Sequence, residues 1–273
     1  MPEGPEMYRA AQKINDEIGG RFMTEVWFAF DGLKRWQDAL TGKKFDRAET
    51  LGKALLLKFS RGTTIYTHNQ LYGKWMFASR DRRPDTNRQL RLALSSTDRS
   101  ALLYSASEID VLEADELDEH SFISRAGLDI LSSGAGPAEI AGWIRRDEFR
   151  RRRLGHLLLD QSFLAGVGNY LRSEILFDAG LSHDRRPDDL GDEALERLAE
   201  TAHALMWRAV EKEGITNDPD RAKKLKDAGW RRRDYRHYVF GRNGQACFYC
   251  DGPIGKTTVS GRRLYFCSRC QAA

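Results

Sequence analysis

The sequence predicts an α+β chain of several modules: an antiparallel β-sandwich with one leading helix, a helical middle, and a small metal-bound module at the end. Three observations carry this. Short strand-like apolar runs separated by turn formers fill residues 22 to about 113. Beyond a Ser/Gly/Pro-rich stretch at Ser132-Ser133-Gly134-Ala135-Gly136-Pro137 the apolar residues recur at helical spacing. All four cysteines fall after residue 246, as two CxxC pairs.

The leading helix is read from Met7, Ala10, Ala11, Ile14 and Ile18, with Gly19-Gly20 as its stop. The sandwich strands are read from 22–28, 53–59, 63–68, 74–78, 90–95 and 101–105, which are rich in aliphatic, β-branched and aromatic residues. In the middle, Leu195, Leu198, Leu205, Met206 and Ala209 mark one amphipathic helix, and 154–178 reads as two helices broken at Gly166-Val167-Gly168. The basic stretches 145–153 and 221–236 flank this region.

At 273 residues, 41% of them hydrophobic, the chain is long enough for two or three modules, placed here at 1–131, 132–229 and 230–273. No apolar run is long enough to span a bilayer, and no secretory signal is visible, so a cytoplasmic protein without a membrane partner is expected. The net charge of +4 is too mild to identify a partner by itself; local clusters of Lys and Arg matter more.

Cys247-x2-Cys250 and Cys267-x2-Cys270 carry the spacing of a tetrahedral thiolate site. Four thiolates leave no position open for water, so one structural zinc ion is expected. A redox dithiol pair is the weaker alternative. The segment between the pairs reads as a hairpin, Gly255–Val259 and Leu264–Phe266, with Gly261, Arg262 and Arg263 at its tip. That tip suits a DNA phosphate, or is an ordinary solvated turn.

The chain begins Met1-Pro2-Glu3-Gly4-Pro5-Glu6. Removal of Met1 leaves Pro2 with a free secondary amine. An α-amine with a pKa of about 8 is partly neutral, hence nucleophilic, near pH 7. Attack on a sugar C1′ gives an iminium ion, an electron sink that acidifies the C2′ proton and drives β-elimination of the 3′ phosphate. Glu3 stands beside the amine as a general acid for the ring oxygen, with Glu6 one turn on as support. On residue type alone, a proline at a helix start is the commoner explanation.

The N-terminal hexapeptide, Leu51-Gly52-Lys53-Ala54-Leu55-Leu56, Leu157-Leu158-Leu159-Asp160-Gln161 followed by Ala165-Gly166-Val167-Gly168-Asn169-Tyr170, and a terminal four-cysteine finger closing in Cys-Gln together resemble the formamidopyrimidine-DNA glycosylase and endonuclease VIII family. The likeness runs over essentially the whole chain. It implies a β-sandwich, a helix–two-turn–helix domain and a zinc finger, acting as a monomer on double-stranded DNA that carries damaged bases or abasic sites. It implies Pro2 as the Schiff-base nucleophile and Glu3 as proton donor. Lys53 becomes a phosphate contact that assists elimination, where an ordinary strand lysine is the plain alternative. Asn169 becomes a phosphate ligand of the helix–two-turn–helix, where a helix N-cap is the alternative. Arg262 becomes the finger arginine, which grips the phosphates at the lesion and assists the second elimination, with Arg263 beside it, and Arg125 a further DNA contact.

His68-Asn69-Gln70-Leu71-Tyr72-Gly73 resembles the endonuclease VIII branch, in which such a Gln-Leu-Tyr triplet fills the gap left by an everted base. Val26–Phe30 and Leu102–Ser107 also resemble that branch. The implied activity is a bifunctional glycosylase and AP lyase for oxidised pyrimidines such as thymine glycol, working by β,δ-elimination. An oxidised-purine enzyme and a non-catalytic zinc-finger DNA-binding protein are the alternatives.

Overall fold

A computed structural model describes residues 2–271; Met1, whose removal the proline chemistry requires, lies outside the described residues. The chain divides into two compact units: one comprises Pro2 with 7–125, and the other 3–6 with 126–271. The N-terminal helix α1 (Gly4–Ile18) therefore begins in the second unit and continues in the first.

In the first unit, β1 (Glu25–Phe28), α2 (Arg35–Leu40), β2 (Phe45–Leu51), β3 (Ala54–Phe59), β4 (Thr64–His68), β5 (Lys74–Ser79), β6 (Leu90–Ser95), β7 (Arg99–Tyr104) and β8 (Glu108–Leu112) follow in order. They form two four-stranded antiparallel sheets, β1-β6-β7-β5 and β2-β3-β4-β8. Because successive strand residues face opposite sides, alternate positions reach the interior. Leu55, Leu57 and Phe59 from β3, Ile109 and Val111 from β8, Val26 and Phe28 from β1, and Leu92 and Leu94 from β6 share one core. Met7, Ala11, Ile14 and Ile18 of α1 close that core along their helical stripe. Asn15 of α1 both donates to Ala48 O (2.9 Å) and accepts from Ala48 N (2.6 Å), so the outward backbone groups of the edge strand β2 are occupied at Ala48.

All six predicted runs contain strands, although the first shrinks to Glu25–Phe28. The two further strands, β2 and β8, carry charges at solvent-facing positions (Asp46, Arg47 and Glu49; Glu108 and Asp110), which mask them in composition.

In the second unit, β9 (Leu128–Asp129) pairs parallel with β10 (Leu164–Ala165). The helices are α3 (Ile130–Ser133), α4 (Pro137–Ile144), α5 (Leu154–Leu157), α6 (Asn169–Asp178), α7 (Asp192–Glu211), α8 (Pro219–Asp227) and α9 (Arg232–Tyr235). The Ser132–Pro137 stretch is a tight joint: Asp129 caps α3 by accepting from Leu131 N and Ser132 N, Gly134 ends it at φ 70°, and Pro137 opens α4. The expected amphipathic helix is α7, burying Leu195, Leu198, Leu205, Met206 and Ala209. The chain ends in a hairpin of β11 (Ile254–Val259) and β12 (Arg262–Cys267), turned by Ser260 and Gly261 at φ 53° and 68°. Two adjacent left-handed residues are what a two-residue hairpin turn of this twist requires. Among the described residues no helix is long and apolar enough to cross a membrane.

Candidate active site

The start of the chain is fastened to the turn that precedes α6. Glu3 is buried, and its carboxylate accepts from the backbone N–H groups of Gly168 (2.9 Å), Tyr170 (2.9 Å) and Leu171 (3.2 Å). The first N–H groups of a helix have no partner within it, and the helix dipole favours an anion there. Gly168 is the N-cap of α6 and has no side chain to supply. Glu3 thus does, from the other end of the sequence, what a capping side chain does locally.

Close approach makes this possible. Gly4 N donates to Gly166 O at 2.8 Å. A methyl group on Gly168 would lie 2.5 Å from Glu3 Oε1 and 2.7 Å from its Cγ, inside van der Waals contact. Gln161 holds the turn from behind: its Oε1 accepts from Gly166 N (3.1 Å) and its Nε2 donates to Val167 O (3.0 Å). Glu6 accepts from Glu3 N (2.9 Å), closing the first turn of α1 as the third residue of a capping box does. It also accepts from the Tyr170 hydroxyl at 3.1 Å. Burial, then the charges of Glu6 and Glu3, raise the Tyr170 pKa well above its ordinary value, so the hydroxyl stays a donor. Pro2 directly precedes this anchored segment and is half-buried.

Asn169 is the first residue of α6 rather than its N-cap. Its Oδ1 accepts from Arg172 Nη2 at 2.9 Å. The same guanidinium reaches the carbonyls of Arg262 (3.3 Å) and Arg263 (3.2 Å), so one buried side chain holds two of the residues expected to meet phosphate. The Arg262 and Arg263 side chains themselves are exposed.

The four cysteine Sγ atoms all lie within 4.8 Å of one another, with Cys247–Cys270 at 3.8 Å and Cys250–Cys267 at 3.4 Å. Zn–S bonds of about 2.3 Å in a tetrahedron put sulfurs about 3.8 Å apart. The cluster therefore fits a metal ion of that kind. Gln271 braces it, accepting from Cys267 N (2.8 Å) and donating to Leu181 O (3.0 Å).

In the first unit, Lys53 is buried at the β2–β3 turn, where Gly52 adopts φ 60°. Beyond β4, the Asn69–Gly73 turn leaves Leu71 58% and Tyr72 70% exposed, an apolar pair standing in solvent. Gln70 is tied down instead: Nε2 donates to Glu108 Oε2, Oε1 accepts from Ser107 Oγ (both 2.8 Å), and its backbone N donates to His68 Nδ1 at 3.1 Å. Burial, the largest influence, lowers the His68 pKa, with Glu108 opposing and Lys53 assisting, which suits a ring nitrogen that accepts. Arg125 is exposed, its Nε donating to Ser121 O at 2.7 Å.

The basic stretch 145–153 is largely neutralised by its neighbours: Arg145 pairs with Asp192, Arg150 with Asp147 and Asp188, Arg152 with Asp160, and Arg153 with Asp184. Sequence reasoning missed the polar interior of α6. Arg172, Ser173 and Glu174 are all fully buried. Ser173 Oγ accepts from Tyr265 N (3.2 Å). Glu174 accepts from Thr216 Oγ1 (2.6 Å) and from the backbone N–H groups of Tyr238 (2.7 Å), Val239 and Phe240 (both 2.9 Å). The available signal was the absence of any solvent-facing stripe between Leu171 and Phe177: a helix closed in on all sides must find partners for its polar residues.

Two family models match the chain. The formamidopyrimidine-DNA glycosylase N-terminal domain covers residues 1–107, and the formamidopyrimidine-DNA glycosylase H2TH domain covers residues 131–219. Among curated proteins the chain is similar to Endonuclease 8 of Salmonella schwarzengrund, 44% identical over 99% of this chain and 100% of that protein. It is 42% identical, over the same shares, to Endonuclease 8 of Salmonella enteritidis. Among solved structures it resembles Lactococcus lactis formamidopyrimidine-DNA glycosylase bound to DNA containing an AP site, with TM-score 0.78 and 18% identity over 99% of this chain and 100% of that one. The same enzyme with DNA containing an oxidised pyrimidine gives TM-score 0.79 at 18% identity, covering 100% of both chains. At that identity the likeness is one of fold.

Proposed function

This chain belongs to the formamidopyrimidine-DNA glycosylase family, and from that premise we propose that it removes oxidised pyrimidines such as thymine glycol from double-stranded DNA and opens the strand by β,δ-elimination through a Schiff base on Pro2. The enzyme is a DNA glycosylase with AP lyase activity, of the kind that acts in base excision repair.

The observation that carries the proposed route is the anchoring of the chain start: three N–H groups of the α6 turn hold Glu3, and Glu3 is the residue next to Pro2. The neutral Pro2 nitrogen attacks C1′, the bond to the base breaks, and the base leaves with the bonding pair. The Pro2 N–H proton passes to the Glu3 carboxylate, which delivers it to the ring oxygen as the sugar opens, leaving an iminium between Pro2 and C1′. Loss of the C2′ proton sends electrons into the iminium and expels the 3′ phosphate. Loss of the C4′ proton then expels the 5′ phosphate, and water releases the sugar fragment from Pro2. Lys53 assists elimination and contacts phosphate, while Asn169 and Arg262 grip phosphate oxygens as charge-assisted donors. Arg125 adds a further contact. One structural zinc ion on Cys247, Cys250, Cys267 and Cys270 holds the finger hairpin. The working parts are 1–131, 132–229 and 230–273, acting as a monomer in the bacterial cytoplasm.

Borohydride should freeze the iminium as a covalent adduct on abasic-site DNA. Wild-type protein is expected to give the adduct and Pro2→Ala to lose it almost entirely, with the sugar mass found on the first residue of the trapped peptide. An equal yield from Pro2→Ala, or a sugar on a side chain, removes the mechanism. No adduct from wild type would favour a DNA-binding protein without chemistry.

The exposed Leu71–Tyr72 pair supports base eversion, since an apolar wedge and an aromatic face can replace the stacking of an everted base, and the likeness of the Gln70-Leu71-Tyr72 triplet to the endonuclease VIII branch supports the pyrimidine reading. Duplexes with thymine glycol should be cut faster than duplexes with 8-oxoguanine opposite cytosine. Leu71→Ala should slow excision about tenfold, by weakening eversion. Faster cutting of 8-oxoguanine would assign the enzyme to oxidised purines instead.

A further inference from the structure

The Leu71–Tyr72 wedge projects from one end of the β1-β6-β7-β5 sheet, and strand register defines that end. Lys74 at the start of β5 pairs with Tyr104 at the end of β7, and Tyr104 pairs with Leu90 at the start of β6. Tyr72 and Arg88 each precede their strand by two residues, on either side of the β7 end. Arg88 reaches across this gap: its Nη1 donates to the Tyr72 carbonyl oxygen at 2.7 Å. The Arg88 backbone is itself held, by Arg88 N donating to Thr86 Oγ1 (3.3 Å) and by Gln89 O accepting from Ser105 N just beyond β7 (2.8 Å). The wedge turn is therefore fixed before Leu71 through Gln70, and after it through the hold of Arg88 on Tyr72.

A guanidinium carries five N–H donors and no acceptor. One of the five serves Tyr72 O, and a carbonyl does not neutralise the charge. Elsewhere in this unit exposed arginines rest on carboxylates, as Arg21 does on Asp98 and Arg47 on Glu49. Among the described residues Arg88 makes no such pair, and it is exposed. Its remaining fork of N–H groups matches a phosphodiester, whose two free oxygens take parallel donors. A duplex entered by the wedge brings phosphates to this same end of the sheet.

We propose that Arg88 is a DNA-backbone contact that also sets the wedge: one N–H holds Tyr72 O while the others take a phosphodiester beside the everted base. Phosphate capture and wedge placement then become one event. The inference deepens the function proposed above and rests on it for DNA as the ligand.

The test uses a duplex carrying a tetrahydrofuran abasic analogue next to 2-aminopurine, which binds without reacting and brightens as the wedge unstacks the neighbouring base. Arg88→Met should flatten the plot of log Kd against log salt by about 0.9, the share of one phosphate, and raise Kd about eightfold at about 0.1 M salt. The fluorescence rise should slow about fivefold, the scale of one lost hydrogen bond. Arg88→Lys keeps the charge without the fork, so it should restore the slope but not the rate of the rise. Arg82→Gln removes the same charge from the same loop. Arg82 N donates to Ser79 O at the far end of β5, about 17 Å from Lys74, and the slope of this variant should match wild type. Arg88 leaves no buried group behind, so its variants should melt within about 2 °C of wild type. A wild-type slope in Arg88→Met overturns the inference and leaves the loop to an acidic protein partner. An equal loss of slope in Arg82→Gln, or a flatter slope with an unchanged fluorescence rate, also overturns it. Failure of the parent reading is seen separately, as wild-type protein that forms no borohydride adduct on abasic-site DNA.

Discussion

Replacing Gly168 with alanine is expected to cut the yield of borohydride-trapped adduct by at least about a hundredfold, the scale of loss when reacting groups are misplaced by an ångström or so. The added methyl group would overlap the Glu3 carboxyl. Neither partner has room to yield: Glu3 is buried, and the Gly168 backbone is held between Gln161, which bonds the adjacent turn, and α6. Glu3 must leave its three N–H donors, and the proposed nucleophile beside it loses its placement. Those bonds to a charged acceptor contribute on the order of several kcal/mol, so the melting temperature should also fall. Near-wild-type trapping by a folded Gly168→Ala protein would show that the Glu3 anchor does not place Pro2.

The second large effect is expected from Cys250→Ser. The finger has a small core, with Ile254 and Leu264 as its buried aliphatic residues. Structural zinc supplies roughly 10–16 kcal/mol in isolated finger peptides, and three good ligands do not replace four. Without the ion the β11–β12 hairpin loses its anchor, and Arg172 loses its acceptors at Val259, Arg262 and Arg263. Zinc content measured by atomic absorption should fall below one ion per chain, and strand cleavage should drop by about two to three orders of magnitude if Arg262 acts on the reacting phosphates. Full zinc occupancy with cleavage within twofold of wild type would refute this account of the finger.

The parts of the fold visible in the sequence were those whose signal is local. The α1 stripe, the Gly19-Gly20 stop, the α7 periodicity and the paired CxxC motifs each lie within a few turns of chain, and each is present as expected. The strands β2 and β8 were hidden because charges occupy their outer faces, and only alternation marks them. At the candidate site, Glu3 and Asn169 were legible as motif residues, but their surroundings were not. Nothing near Glu3 in sequence reveals that its acceptors serve N–H groups 165 or more residues away. Arg172 escaped for a related reason: an arginine in a helix reads as a solvated charge until its neighbours are known to be buried. Gln70 differs again. The Gln-Leu-Tyr motif is visible in the sequence, but not that Ser107 and Glu108 bond the two ends of the Gln70 amide while Leu71 and Tyr72 project.

The buried polar run Arg172-Ser173-Glu174 has a bearing on how this protein can be recombined. Each of the three grips main-chain groups from later in the sequence: hairpin carbonyls for Arg172, Tyr265 N for Ser173, and the amides of Tyr238, Val239 and Phe240 for Glu174. Main-chain grips ask for a backbone path, not for particular side chains. A chimera that imports a foreign C-terminal segment will keep its fit to α6 only if the donor backbone repeats those bends, however different its residues. Where the path differs by one residue in the turn, a guanidinium and a carboxylate are left stranded in the interior, and the hybrid fails at assembly before any chemistry is tried.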